Sequence, residues 1–166
     1  MTNDDWLPSL EDTPFTRLGG EAGVMALSER FYDEMDAHEP ALARLHRLDE
    51  QGRVSRDSRE RFGLFLVGWL GGPQHYMQRH GHPRLRMRHF QVPVDLAMRD
   101  AWVRSMGRAL DAFEVRGGLR RFLDERFAQV ADFLRNVEEG SPAEQAAGPA
   151  PELAQLGGVA KKERPS

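Results

Sequence analysis

The chain has 166 residues, 40% of them hydrophobic and 30% charged, the proportions of one soluble globular domain with room for a real core. A net charge of -3 argues against a general role on nucleic acid or at a membrane surface, and the absence of cysteine excludes disulfides, thiolate metal sites and cysteine nucleophiles. No apolar run approaches membrane-spanning length, and the acidic start Met1-Thr-Asn-Asp-Asp-Trp6 lacks a signal-peptide core, so the cytoplasm is the expected compartment.

Residues 1–13 are expected to be loose. After the breaker Gly19-Gly20, Val24, Leu27, Phe31 and Met35 recur at helical spacing and define a first stripe. A second stripe, Phe62, Phe65, Leu66, Trp69 and Leu70, ends at Gly71-Gly72-Pro73, a strong stop signal. The stretch 72–92 reads as one long loop and carries four of the six histidines, and loops of that length in a compact domain are more often functional than not. Asp95 is placed to cap a third helix bearing Trp102, Met106, Ala109, Leu110 and Phe113. A fourth, with Leu119, Leu123, Phe127, Val130 and Leu134, follows Gly117-Gly118. Residues 140–166 are rich in Pro, Gly, Ala and charge and are expected to form a disordered tail. The folded domain is therefore 14–139, with no period-two alternation and no repeat, and the expected class is all-α.

The most informative stretch is Gly81-His-Pro-Arg-Leu-Arg-Met-Arg-His-Phe90. His89 has apolar neighbours in Met87, Phe90 and Val92 and a spaced set of arginines in Arg84, Arg86 and Arg88. An imidazole can hold a metal from one side, and guanidinium groups pair with carboxylates. A haem asks for both: an axial nitrogen, apolar contacts for the ring and cations for two propionates. Without cysteine, c-type covalent attachment is excluded. Other readings stand beside this one. Phe62, Leu66 and Met106 fit an ordinary core, and only His89 makes them candidates for a haem wall. Tyr32 and Trp102 read first as core residues with a polar hydrogen to satisfy. His75, His80 and His82 read as exposed loop residues, and the arginines as a solvated face or a phosphate patch.

These motifs resemble the group II truncated haemoglobins over about residues 15–137. The matching segments are Phe15-Thr-Arg-Leu-Gly-Gly20, Arg30-Phe-Tyr32, Leu45-His46, Phe65-Leu-Val-Gly-Trp-Leu-Gly-Gly-Pro73, Gly81-His-Pro-Arg-Leu-Arg-Met-Arg-His89 and Arg99-Asp-Ala-Trp102. The resemblance implies four helices in a two-over-two sandwich around non-covalent haem b. It implies that His89 is the proximal iron ligand and that Tyr32 and Trp102 direct their O–H and N–H at the distal ligand. It places His46 between the first two helices, and Ser58 and Phe62 at distal positions of the second. Phe65, Leu66 and Met106 then contribute to the ring pocket, and Arg88, with Tyr76 and Arg84, meets the propionates.

The function implied is binding of oxygen and related diatomics, with carbon monoxide, nitric oxide or peroxide as further ligands. Two donors aimed at a ligand that gains negative charge on binding slow its release, which suits sensing or oxygen-dependent redox chemistry better than oxygen transport. Peroxidase-like or nitric oxide dioxygenase-like chemistry, with an unidentified reductant, is the enzymatic form of that reading. One alternative is a haem-based gas sensor whose tail contacts a partner. Another is a non-catalytic helical module that binds an anionic partner through the arginine-rich loop. Neither nucleic acid nor a membrane is an expected partner, and the sequence leaves the oligomeric state open.

Overall fold

The computed structural model describes residues 5–81 and 95–134, which contain seven helices and no strand. They are α1 (Pro14–Arg17), α2 (Gly20–His38), α3 (Pro40–Ala43), α4 (Arg56–Trp69), α5 (His75–His80), α6 (Leu96–Ala112) and α7 (Gly117–Leu134). The all-α expectation holds. None of these helices is long and apolar enough to cross a membrane.

Helix α2 is the centre of the fold: it packs against both α4 and α6, and α6 in turn packs against α7. Its buried residues Val24, Leu27, Ser28, Phe31, Tyr32 and Met35 recur every three or four positions, as one helix face must. The helix stops at Glu39, which precedes Pro40, a residue whose ring disfavours helical backbone before it. Helix α4 begins at Ser55, whose hydroxyl accepts from the Ser58 backbone N–H. It meets α2 closely because of Gly63: a methyl there would lie 2.6 Å from Met25 Sδ and 3.4 Å from Ser28 Cβ. The Ser28 hydroxyl donates to the Arg59 carbonyl at 2.8 Å across the same seam.

The double glycine after α4 has a comparable use. A Cβ on Gly72 would stand 2.5 Å from the Phe15 ring, and the Phe15 N–H donates to the Leu70 carbonyl at 2.9 Å, so the turn is built to seat α1. Asp95 does cap α6, accepting from the Met98 N–H.

Two expectations meet a different structure. The stretch 72–92 contains α5 before Gly81, and residues 82–94 lie outside the described residues. Within residues 5–13, part of the segment expected to be loose, one side chain is deeply buried. Trp6 is only 2% exposed, its ring lies edge-on to Phe122 at 5.8 Å, and the Arg17 guanidinium sits 5.9 Å from its centroid. One large apolar side chain with an aromatic partner is enough to anchor a short polar segment. The tail 140–166 lies outside the described residues.

Glu39 ties the end of α2 to α6. Its carboxylate accepts from Arg104 Nε at 2.8 Å, from Arg104 Nη2 at 3.0 Å and from Arg108 Nη1 at 2.9 Å. The Arg104 hydrogen bonds, with Arg108 behind them, hold its carboxyl down at about 2. A depressed carboxylate stabilises the fold above its unfolded value of ~4.3, and that contribution is lost as pH falls from there toward 2. Glu39→Gln is therefore expected to cost about 1 kcal/mol at pH 7, a figure discounted for the exposure of both arginines, and much less at pH 2.5. Thermal unfolding of both proteins at the two pH values checks this; an equal loss at each pH would mean that the ion pairs contribute nothing.

Candidate functional site

Helices α2, α4 and α6 converge on a cluster of aromatic rings. Phe31 and Tyr32 come from α2, Phe62 and Phe65 from α4, and Trp102 from α6. The Phe31 ring lies 5.1 Å from both Phe62 and Trp102, and Phe62 lies 5.8 Å from Tyr32 and 6.1 Å from Trp102. Most of these contacts are edge-to-face, the arrangement the ring quadrupoles favour. Tyr32 and Trp102, far apart in the chain, thus stand on two sides of the Phe31–Phe62 pair. His46, in the connection after α3, completes the group at 5.5 Å from Tyr32.

The polar atoms here are few. Tyr32 is buried, and none of the described residues accepts a hydrogen bond from its hydroxyl. Burial pushes its phenol well above the ordinary range while the Arg59 charge pulls the other way, so it remains a protonated donor at any physiological pH. The half-buried Trp102 likewise has no acceptor for its indole N–H among the described residues. His46 Nδ1 lies 3.1 Å from the Leu42 carbonyl. A carbonyl can only accept, so Nδ1 carries the proton and Nε2 presents a lone pair. Burial lowers the His46 pKa, which keeps the ring neutral at pH 7. A largely aromatic nest whose two donors bond to none of the described residues suits a flat hydrophobic cofactor and a small ligand.

Of the other residues singled out from sequence, Phe65 joins the cluster by stacking 6.3 Å from Phe62 and meets Tyr76 of α5 edge-on at 6.3 Å. Tyr76 also packs on His80 at 4.9 Å. Leu66 and Met106 are almost completely buried in the core beneath these rings. Ser58 stands apart, at the amino-terminal turn of α4, where its hydroxyl accepts from Ser55 Oγ at 3.2 Å. His89, Arg88 and Arg84 lie outside the described residues. A cleft of about 390 Å³ lined by Leu10, Pro14, Trp69, Phe122 and Arg126, among others, shares none of the candidate residues.

One residue of the site escaped sequence reasoning. Arg59 of α4 is 6% exposed, and its guanidinium carbon lies 5.9 Å from the Tyr32 ring centroid. It donates to Glu29 at 2.9 Å, Asp33 at 2.7 Å, Asp36 at 2.6 Å and the Val54 carbonyl at 2.9 Å. The available signal was the acidic set Glu29, Asp33 and Asp36, which lies on one side of a helix whose adjoining face is apolar.

Comparison with known proteins gives the family. The family model of bacterial-like globins matches residues 13–136. A group 2 truncated hemoglobin of Bacillus subtilis, YjbI, is 31% identical over 128 residues, 77% of this chain and 92% of its own. Among solved structures, the cold-adapted truncated hemoglobin from the Antarctic marine bacterium Pseudoalteromonas haloplanktis is 40% identical with a TM-score of 0.69, covering 76% of this chain and 99% of its own. The truncated oxygen-avid haemoglobin from Bacillus subtilis is 31% identical with a TM-score of 0.66, over 75% of this chain and 99% of its own. The chain belongs to the bacterial-like globin family, among the group II truncated haemoglobins with their two-over-two helical fold. It is accordingly a haem-based gas-binding protein.

The His46 geometry can be checked directly. Nitrogen-15 NMR of the imidazole at pH 7 is expected to show a neutral ring protonated on Nδ1, with a titration midpoint below the ordinary histidine value of ~6.5. A ring that is cationic at pH 6.5 would contradict the placement.

Proposed function

We propose that this chain holds a non-covalent haem b through His89 and uses Tyr32 and Trp102 to retain a diatomic ligand, oxygen first among them. The observation that carries the reading is the convergence of those two donors on one buried aromatic cluster, each without an acceptor among the described residues. Phe62, Phe65, Leu66 and Met106 would supply the apolar contacts of the pocket, and Arg88 and Arg84, with Tyr76, would hold the propionates. When bound, the haem supplies an open coordination position for the gas. What the chain adds is the polar environment of that gas. The Tyr32 O–H and the Trp102 N–H donate toward it, and the surrounding rings exclude water, so each hydrogen bond acts at low dielectric. Neutral His46, with its Nε2 lone pair, would accept from a water on the same side. Ser58 stands at the end of α4 as part of the route in. Carbon monoxide, nitric oxide and peroxide fit the same space. Oxygen gains more negative charge on binding than carbon monoxide does, so two donors favour it. Slow release of oxygen suits sensing, or redox chemistry fed by a separate reductant, better than transport.

His89→Ala is expected to abolish stable haem binding, and added imidazole to restore part of the absorption spectrum. Full retention of the Soret band by His89→Ala, with its loss in His75→Ala or His80→Ala, would reassign the ligand. Trp102→Phe is expected to speed oxygen release by roughly tenfold or more, the cost of one hydrogen bond to a charged acceptor. Tyr32→Phe should act in the same direction, and the double variant should fall short of the product of the two because the donors share one acceptor. Stopped-flow displacement of oxygen by carbon monoxide measures all three. Wild-type rates in both single variants would reduce these residues to core packing.

A further inference from the structure

Glu29, Tyr32, Asp33 and Asp36 lie at positions i, i+3, i+4 and i+7 of α2 and therefore share one face. Three carboxylates on one face of a helix repel one another, and here they surround a single buried cation from α4. The Arg59 guanidinium uses all three of its nitrogens. Nε donates to the Val54 carbonyl at 2.9 Å, Nη1 to Glu29 at 2.9 Å and to Asp33 at 2.7 Å, and Nη2 to Asp36 at 2.6 Å. Asp36 also accepts from the Val54 N–H at 3.2 Å, so the loop leading into α4 is held by the same group. Arg56 adds a second ion pair to Glu29 from the solvent side. The fourth member of the α2 face is not an acid but Tyr32, whose ring centroid lies 5.9 Å from the guanidinium carbon.

We propose that Arg59 is a positioning residue for the ligand pocket: it fixes the direction of the Tyr32 hydroxyl and strengthens it as a donor. This rests on the reading of Tyr32 as a donor to the bound gas. Two physical effects act together. Fixed on both sides by carboxylates, the guanidinium sets the distance between α2 and α4, and with it the position of the Tyr32 ring between His46 and Phe62. A cation close to a phenol ring also draws on its electron density and favours the polarised O–H. An ion-pair network that served only to join two helices would have neither this proximity to the pocket tyrosine nor any bearing on its chemistry.

The test uses the haem-loaded protein with Arg59→Met and Arg59→Lys, each made alone and with Tyr32→Phe. Methionine keeps much of the stem and removes the charge; lysine keeps the charge but not the flat fork. The readouts are the carbon monoxide stretching band in the infrared, which senses donors to the bound gas, the oxygen release rate, and the melting temperature. Arg59→Met is expected to shift or split the infrared band and to speed oxygen release roughly three- to tenfold. Arg59→Lys should fall between it and wild type. Neither substitution should change band or rate further once Tyr32 is Phe, although both lower the melting temperature in either background. Should Arg59→Met fail to fold, the lysine variant carries the same comparison. An unchanged band, or the same shift with and without the Tyr32 hydroxyl, overturns the proposal and leaves Arg59 as a structural clamp. If Tyr32→Phe alone leaves band and rate unaltered, the donor reading of Tyr32 falls and this proposal with it. A wild-type protein with no Soret band overturns the haem reading itself.

Discussion

A guanidinium taken out of water must find partners for its nitrogens, or its desolvation outweighs anything it gains. Arg59 meets that condition through three carboxylates of α2 and one carbonyl of the preceding loop, and in doing so it determines where α2 and α4 can lie. The helices can approach this closely only because Gly63 presents no side chain to Met25 and Ser28. Charge and sterics thus act at the same seam. The glycine permits the approach, and the arginine favours it, since its three carboxylate partners all stand on the facing helix.

The candidate pocket inherits its precision from that seam and from one other. Tyr32 is carried by α2 and Phe62 by α4, and their relative placement follows from the Arg59 network. Trp102 is carried by α6, and the tie that holds α6 to α2 is the Glu39 carboxylate with Arg104 and Arg108. Both ties end on α2, which explains how donors 70 positions apart come to flank the same pair of phenylalanine rings. Inside the ring cluster there is little for a polar atom to bond. The energetic burden of the site is therefore carried at its periphery, by ions, while the interior stays apolar and keeps its two donors available.

Stability at the opposite end of the domain has a different origin. Phe15 closes against the backbone at Gly72, and Trp6 lies against Phe122 under the Arg17 guanidinium. These contacts join the start of the chain to the ends of α4 and α7 without touching the pocket. Phe122 also lines the cleft between Leu10, Trp69 and Arg126, whose Trp69 stacks on Phe65 of the ring cluster at 6.2 Å.

The sequence by itself determined what depends on local spacing. Apolar residues at every third or fourth position specified α2, α4, α6 and α7, the Asp95 cap and the stop at Gly71-Gly72 marked boundaries, and the motifs around Tyr32, Phe65 and Trp102 resembled those of one family closely enough to name candidate residues for a pocket. Tertiary structure decided the rest. Arg59 looks in the sequence like one more surface cation; its burial depends on acids 23 to 30 positions earlier, and no local pattern encodes a pairing across that distance. Phe31 reads as a core residue, and only the crossing of α2 with α6 makes it the ring between Tyr32 and Trp102. Trp6 sits in a polar segment with no periodicity, and part of its anchoring comes from Phe122, 116 positions away. Helix formation is settled within a turn or two of chain, whereas the burial of a charge or of a lone aromatic is settled by whatever the fold brings against it.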